Sequence, residues 1–194
     1  MSRMVNETEK LDTTVLGFWL YLMTDIVVFA SLFATYLVLV NAHAGGPGPN
    51  EIYDANFALL QTVILLTSSF TCGLGALALR RGDKRGSITM LVATSLLGGV
   101  FLALELTEFT KLVTEGNSWQ TSGFLSAFFT LVGTHGLHIT IGLVWAVSLL
   151  VYMKKKKKNA DMLRKVTLFA LFWHFLDIVW IFIFTIVYLM GVAS

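Results

Sequence analysis

Long apolar stretches alternate along this chain with short polar breaks, and each stretch is about as long as a bilayer crossing. A helix needs about 20 predominantly apolar residues to span the hydrocarbon core. Five stretches meet that requirement: roughly Val15–Val40, Phe57–Leu79, Ser87–Thr107, Gly123–Met153 and Val166–Met190. The pattern predicts an all-α, polytopic membrane protein, a bundle of five transmembrane helices. Residues 1–14 are expected as a tail and residues 15–194 as a single transmembrane domain. The segment "NETEKLDTT" before the first span is too acidic for a secretory signal, so that span is expected to be a retained helix. The longest break holds "GGPGP" at 45–49 and reads as a turn-rich connector rather than a domain.

Charge adds direction. Arg3 and Lys10 precede the first span, four Lys and Arg lie in "RRGDKRGS", and seven lie in "KKKKKNADMLRK". The intervening breaks hold none in "NAHAGGPGPNEIYDAN" and only Lys111 in "EFTKLVTEGNSWQTS". Basic residues thus divide thirteen to one between the two sides. The positive-inside rule then puts the N-terminus in the cytoplasm and, across five spans, the C-terminus outside. Trp119, Tyr53 and Tyr188 fall near outer ends, as interfacial rings would. Short basic connections make spans two and three, and four and five, antiparallel neighbours.

Composition agrees with a membrane setting: 56% of the 194 residues are hydrophobic and 13% charged, against about a quarter charged in soluble domains. The run "KKKKK" at 154–158 is the one feature favouring nucleic acid. It abuts an apolar span and reads better as a membrane-flanking cluster, so no nucleic-acid partner is expected. The lone Cys72 rules out an intramolecular disulfide. Helices in lipid associate through close packing and polar contacts. Rows of small residues at Ser69, Gly73 and Ala76 on the second span, and at Ser95, Gly99 and Ala103 on the third, are therefore expected at helix contacts.

Polar residues inside the spans carry the candidate chemistry. Asp25, in "YLMTDIVVF", lies roughly 14 Å into the first helix, where a carboxylate must be protonated, paired or turned toward protein. Glu105 and Glu108 end the third span; Glu105 is expected to face protein, whereas water could reach Glu108. His135 and His138 share a face in "FTLVGTHGLHITIG", and His174 and Asp177 share one in "LFWHFLDIVWIFIF", at comparable depth on neighbouring helices, so the two pairs could meet. Three readings compete. His135, His138, His174 and Asp177 form an acceptable ligand set for zinc, iron or copper. Two histidines could hold a haem. The reading that asks least of the sequence is a buried hydrogen-bond network that locks helices together and could pass protons. Trp173 and Trp180 flank the last pair and can join it through their indole N–H groups.

At these residues the chain is similar to a known family. "GFLSAFFTLVGTHGLHITIG" and "LFWHFLDIVWIFIFTIVYLMG" resemble subunit III of the haem–copper terminal oxidases. "GFWLYLMTDIVVFASLFATYLVL" resembles that family's helix with a buried carboxylate, Asp25 standing where many relatives have glutamate, and "LALELTEF" resembles its Glu-aromatic segment at Glu108 and Phe109. Five spans instead of seven, with the "NAHAGGPGP" loop, look most like the cytochrome bo-type ubiquinol oxidase branch.

The resemblance implies a non-catalytic accessory subunit of a complex in the bacterial cytoplasmic (inner) membrane. That complex oxidises ubiquinol, reduces dioxygen to water and pumps protons. It further implies that this chain holds no cofactor, that haem and copper reside in the partner subunit I, and that the chain packs on subunit I and supports its stability and proton uptake. Other oxidase subunits and membrane lipids, bound phospholipid among them, are the remaining implied partners. An alternative the resemblance also allows is the subunit III-like protein of a menaquinol oxidase or of a nitric oxide reductase system. From other classes, an independent small transporter or proton channel would use Asp25 as carrier, although no internal repeat or broken-helix pair supports it. A membrane metalloenzyme would use the His and Asp set.

Overall fold

The computed structural model describes residues 2–42, 55–156 and 159–193, and these form helices. They are α1 (Ser2–Leu39), α2 (Ala55–Arg80), α3 (Lys84–Thr114), α4 (Gly123–Lys155) and α5 (Ala160–Ile183); a π-helical turn, Phe184–Leu189, continues α5 into the short α6 (Met190–Ala193). Five of the helices are long and apolar enough to cross a membrane. Their ends lie beyond the apolar stretches. The first helix begins at Ser2, so the expected tail is helical, and α3 runs on through Thr114. Polar residues at a span's end keep the i to i−4 bonding going until a cap or turn stops it. The connector with Tyr53 and "GGPGP" lies outside the described residues.

Local chemistry sets the connections. Gly82 at φ 95° makes the tight turn after α2, and Asp83 Oδ1 then accepts from the Gly86 N–H at 2.9 Å to cap α3. Ser122 caps α4 through the Leu125 N–H, and Asn159 caps α5 through the Met162 N–H at 2.8 Å. The Lys84 ammonium donates to the Lys156 carbonyl at 2.8 Å, so both basic connections lie at the same end of the bundle. At the other end, the Phe124 N–H donates to the Ala42 carbonyl, bringing the end of α1 to the start of α4.

Adjacent pairs α2–α3 and α4–α5 are in contact; α5 also packs on α2, α4 sits against α1 and α3, and α1 touches α5 only lightly. The centre is Trp173 of α5. Its six-membered ring lies in a slot between Gly98 of α3 and Gly142 of α4: a Cβ at Gly98 would stand 2.7 Å from Trp173 Cζ2, and one at Gly142 2.8 Å from Cζ3. Its indole N–H donates to Ser68 Oγ of α2 at 3.1 Å, and the Ser68 hydroxyl donates to the Thr94 carbonyl of α3 at 3.0 Å. One side chain therefore joins four helices. Two turns on, Trp180 repeats the arrangement, donating to Thr62 Oγ1 at 3.0 Å and meeting Phe101 edge-on at 4.7 Å.

The two rows of small residues part company. Ser69, Gly73 and Ala76 do lie at a helix contact, and Gly73 faces His174 of α5. The row on α3 points outward: a Cβ on Gly99 would meet nothing within 4 Å, and Ala103 is exposed. The buried stripe of α3 is instead Leu91, Thr94, Gly98, Phe101, Glu105 and Leu112. Small side chains permit close approach, but which face is approached depends on the bulky group opposite, here the Trp173 ring.

Neighbouring glycines should consequently respond differently. Gly98→Ala should lower the midpoint of thermal unfolding in detergent, at a cost of about 1–3 kcal/mol for overpacking. Gly99→Ala should leave it unchanged or slightly raised. Equal responses would contradict the slot.

Candidate functional site

The polar residues inside the bundle gather in three places, each bridging helices. The first joins α1 and α4. Asp25 Oδ1 lies 3.7 Å from His138 Nε2, and His138 Nδ1 lies 2.8 Å from the Thr134 carbonyl one turn back on its own helix. A carbonyl only accepts, so Nδ1 carries the proton and the lone pair of Nε2 faces the carboxyl in the neutral imidazole. Phe29 covers this pair, its ring 5.2 Å from that of His138, and Asp25 Oδ2 is buried with no hydrogen-bond partner among the described residues.

The second joins α2, α3, α4 and the π-turn. The Tyr188 hydroxyl donates to both Glu108 oxygens at 3.2 Å, and the Gln61 amide reaches Glu108 Oε2 at 3.5 Å. The π-turn makes this possible: the Met190 N–H bonds the Thr185 carbonyl five residues back, and Tyr188 within the turn is fully buried. Tyr188 is thus a core residue and not an interfacial ring, whereas Trp119 at the same end is 60% exposed. Glu108 is half-buried, so water can still reach it, and it accepts from these two side chains. Glu105 is buried, with Oε1 2.7 Å from where a Gly136 Cβ would stand, so the absent side chain gives the carboxyl its place. His135 beside it is fully buried, stacked on Trp180 at 5.4 Å, and neither ring nitrogen has a hydrogen-bond partner among the described residues.

The third lies on α2 and α5. His174 Nδ1 is 2.6 Å from Ser69 Oγ, and Asp177 sits next to Ser69 with its Oδ1 unpartnered among the described residues. The expected meeting of His135 and His138 with His174 and Asp177 does not occur: among the described residues no hydrogen bond joins the two pairs. The physical reason is the tryptophans. Trp180 stacks on His135, and Phe29 lies between His138 and Phe175, so aromatic rings occupy the space in which the pairs would have met. Among the described residues no three His, Cys, Asp or Glu side chains converge as a metal would need. The four candidate ligands are split between separate places, and the arrangement can brace helices and hold protons.

Sequence reasoning missed Gln61, Thr62, Ser68 and Thr94, the partners of Glu108, Trp180, Trp173 and Ser68. Their signal was present, since hydroxyl and amide side chains in a lipid-spanning helix are candidates for interhelical bonds. Most hydroxyls in these helices, however, only bond back to their own helix, as Ser31, Thr35 and Thr67 do. Tyr188→Phe should lower stability by about 1–2 kcal/mol, as expected for losing a hydrogen bond to a carboxyl. Gln61→Leu, removing a contact at 3.5 Å, should cost less. Chemical denaturation of the purified protein in detergent measures both, and the reverse order would contradict the geometry.

Comparison with known proteins matches residues 6–192 to the family model for cytochrome c oxidase subunit III. The chain is 46% identical over 189 residues to the quinol oxidase subunit 3 of Bacillus subtilis strain 168, covering 97% of this chain and 92% of that one. It is 51% identical over 178 residues to the cytochrome bo(3) ubiquinol oxidase subunit 3 of Pseudomonas aeruginosa, covering 92% and 85%. It is 43% identical over 189 residues to the cytochrome c oxidase subunit 3 of Bacillus sp. strain PS3, covering 97% and 91%. The chain belongs to the subunit III family of the haem–copper terminal oxidases.

Proposed function

We propose that this member of the subunit III family is the non-catalytic accessory subunit of a bacterial quinol oxidase that reduces dioxygen to water and pumps protons. It packs directly on subunit I and supports that subunit's stability and proton uptake. It carries no redox centre; haem and copper belong to subunit I. It lies in the cytoplasmic membrane with its N-terminus inside and its C-terminus outside, a reading supported by the thirteen-to-one charge division and by the two basic connections meeting at one end.

The observation that carries the accessory role is how the polar groups are spent. Trp173, Trp180 and Tyr188 donate to Ser68, Thr62 and Glu108 across helix contacts, so these interior hydrogen bonds serve to hold helices together. Ubiquinol is favoured as the electron donor of the complex by the resemblance to the bo(3) relative. The chain's likeness to quinol, ubiquinol and cytochrome c oxidase relatives alike leaves the donor to be settled by the purified complex.

Affinity purification through a tag on this chain tests the reading. The captured complex should show haem absorption bands and haem-bearing chains; the separated chain should be colourless and free of stoichiometric iron, copper or zinc. Metal retained by the separated chain, or capture without haem-bearing chains, would overturn it. Asp25→Asn should leave oxygen reduction largely running in an assembled complex, because no electron passes through this chain. Loss of turnover with intact haem spectra would make Asp25 an obligatory proton carrier instead.

A further inference from the structure

On the outer surface of the bundle, a groove runs along α2 and α5, and it is not purely apolar. A recess of about 410 Å³ lies between Leu66, Phe70 and Leu74 of α2 and His174 and Asp177 of α5. A second, of about 360 Å³, shares Gly73, Leu77 and His174 with the first and continues to Arg80. The apolar wall is open: Phe70 is 66% exposed and Leu77 41%. His174 uses Nδ1 on Ser69, and its Nε2, at the Gly73 side of the groove, makes no hydrogen bond among the described residues. Asp177 is 8% exposed, and its buried Oδ1 has no hydrogen-bond partner among the described residues.

Depth decides what can cover these groups. Arg164 stands in the early turns of α5, at the basic end. At 1.5 Å per residue His174 is about 15 Å further along the helix and Asp177 about 20 Å. A hydrocarbon core is about 30 Å thick. A lipid headgroup would therefore stay near Arg80 and Arg164, and the acyl chain that could reach His174 has nothing to bond it with. Ionisable side chains inside a membrane almost always face protein or a water-filled space. From Leu66 to Arg80 the groove extends about 21 Å along α2, close to four helical turns, far longer than a single ring-shaped headgroup. Gly73 at its middle removes the side chain that would keep another backbone away.

We infer that the α2–α5 groove is the docking site for a transmembrane helix of another oxidase subunit, one that presents a hydrogen-bonding side chain to His174 Nε2 and Asp177. This deepens the accessory reading by naming the face used, and it rests on that reading. The test uses the whole complex in native membranes, with a benzophenone amino acid at Leu74 or, in a separate variant, at Phe70. After illumination both positions should be joined to a polypeptide of another subunit. In parallel, the double variant His174→Leu, Asp177→Leu makes the groove apolar. It should reduce co-purification with the haem-bearing chains by about fivefold, the change in equilibrium that roughly 1 kcal/mol makes. The double variant also loses the His174–Ser69 bond within the chain, so Ser69→Ala, which removes that bond alone, is the control and should leave co-purification unchanged. An equal loss in Ser69→Ala would assign the effect to the chain's own stability and overturn the docking face. Adducts with lipid or quinone alone in an intact complex, or undiminished co-purification of the double variant, would overturn the docking face and leave the accessory role standing. An unaltered chain captured with no haem-bearing partner would overturn both.

Discussion

Two glycines leave the space that holds this bundle together. Lipid is as apolar as leucine, so helices gain nothing by hiding leucine from it; they associate only where backbones come close and polar groups find each other. Trp173 satisfies both conditions at once. Gly98 and Gly142 admit its ring between α3 and α4, and Ser68 takes its N–H on α2. Trp180 depends on the register so set, as do the seats of His135 and Phe101 around it. The Glu105 carboxyl, resting on Gly136 of α4, needs the same α3–α4 separation.

From that packing follows the fate of the ionisable residues. They are not assembled into one centre. Asp25 faces His138 between α1 and α4, Glu108 joins α3 to Tyr188 and Gln61, and Ser69 joins α2 to His174. Aromatic rings separate the groups, as Phe29 does at His138 and Trp180 at His135. A chain that spends its polar atoms in this way suits a subunit whose work is to be a stable neighbour. The groove holding His174 and Asp177 differs, because its polar groups open outward, toward whatever lies beside the bundle.

How much of this was legible in the sequence depended on which physical signal carried it. The five spans and the pairing of neighbours were readable because length and short connections suffice for both. The inner faces were not. Each helix is apolar nearly all round, so the alternation that marks a core in water is missing here. The row Ser95, Gly99 and Ala103 was as plausible as the true stripe through Gly98, and only the Trp173 ring distinguishes them. Tyr188 was misplaced for a second reason: the π-turn rotates it into the core, and nothing in "FTIVYL" announces a turn with one extra residue. Trp173 and Trp180 were correctly suspected of donating through their indoles, while their hydroxyl acceptors were hidden among many serines and threonines that bond only their own helix.

The central claim is that Trp173 and Gly98 form one mutually dependent contact. The measurement that tests it most directly is a double-mutant cycle on thermal unfolding of the purified protein, with Gly98→Ala made alone and in a Trp173→Phe background. Phenylalanine lacks the part of the ring that a Cβ at Gly98 would strike, so the added methyl should be tolerated there. The two changes should then be non-additive by about 1–3 kcal/mol, as residues in direct contact are. Additivity within a few tenths of a kcal/mol, the behaviour of independent sites, would contradict the account.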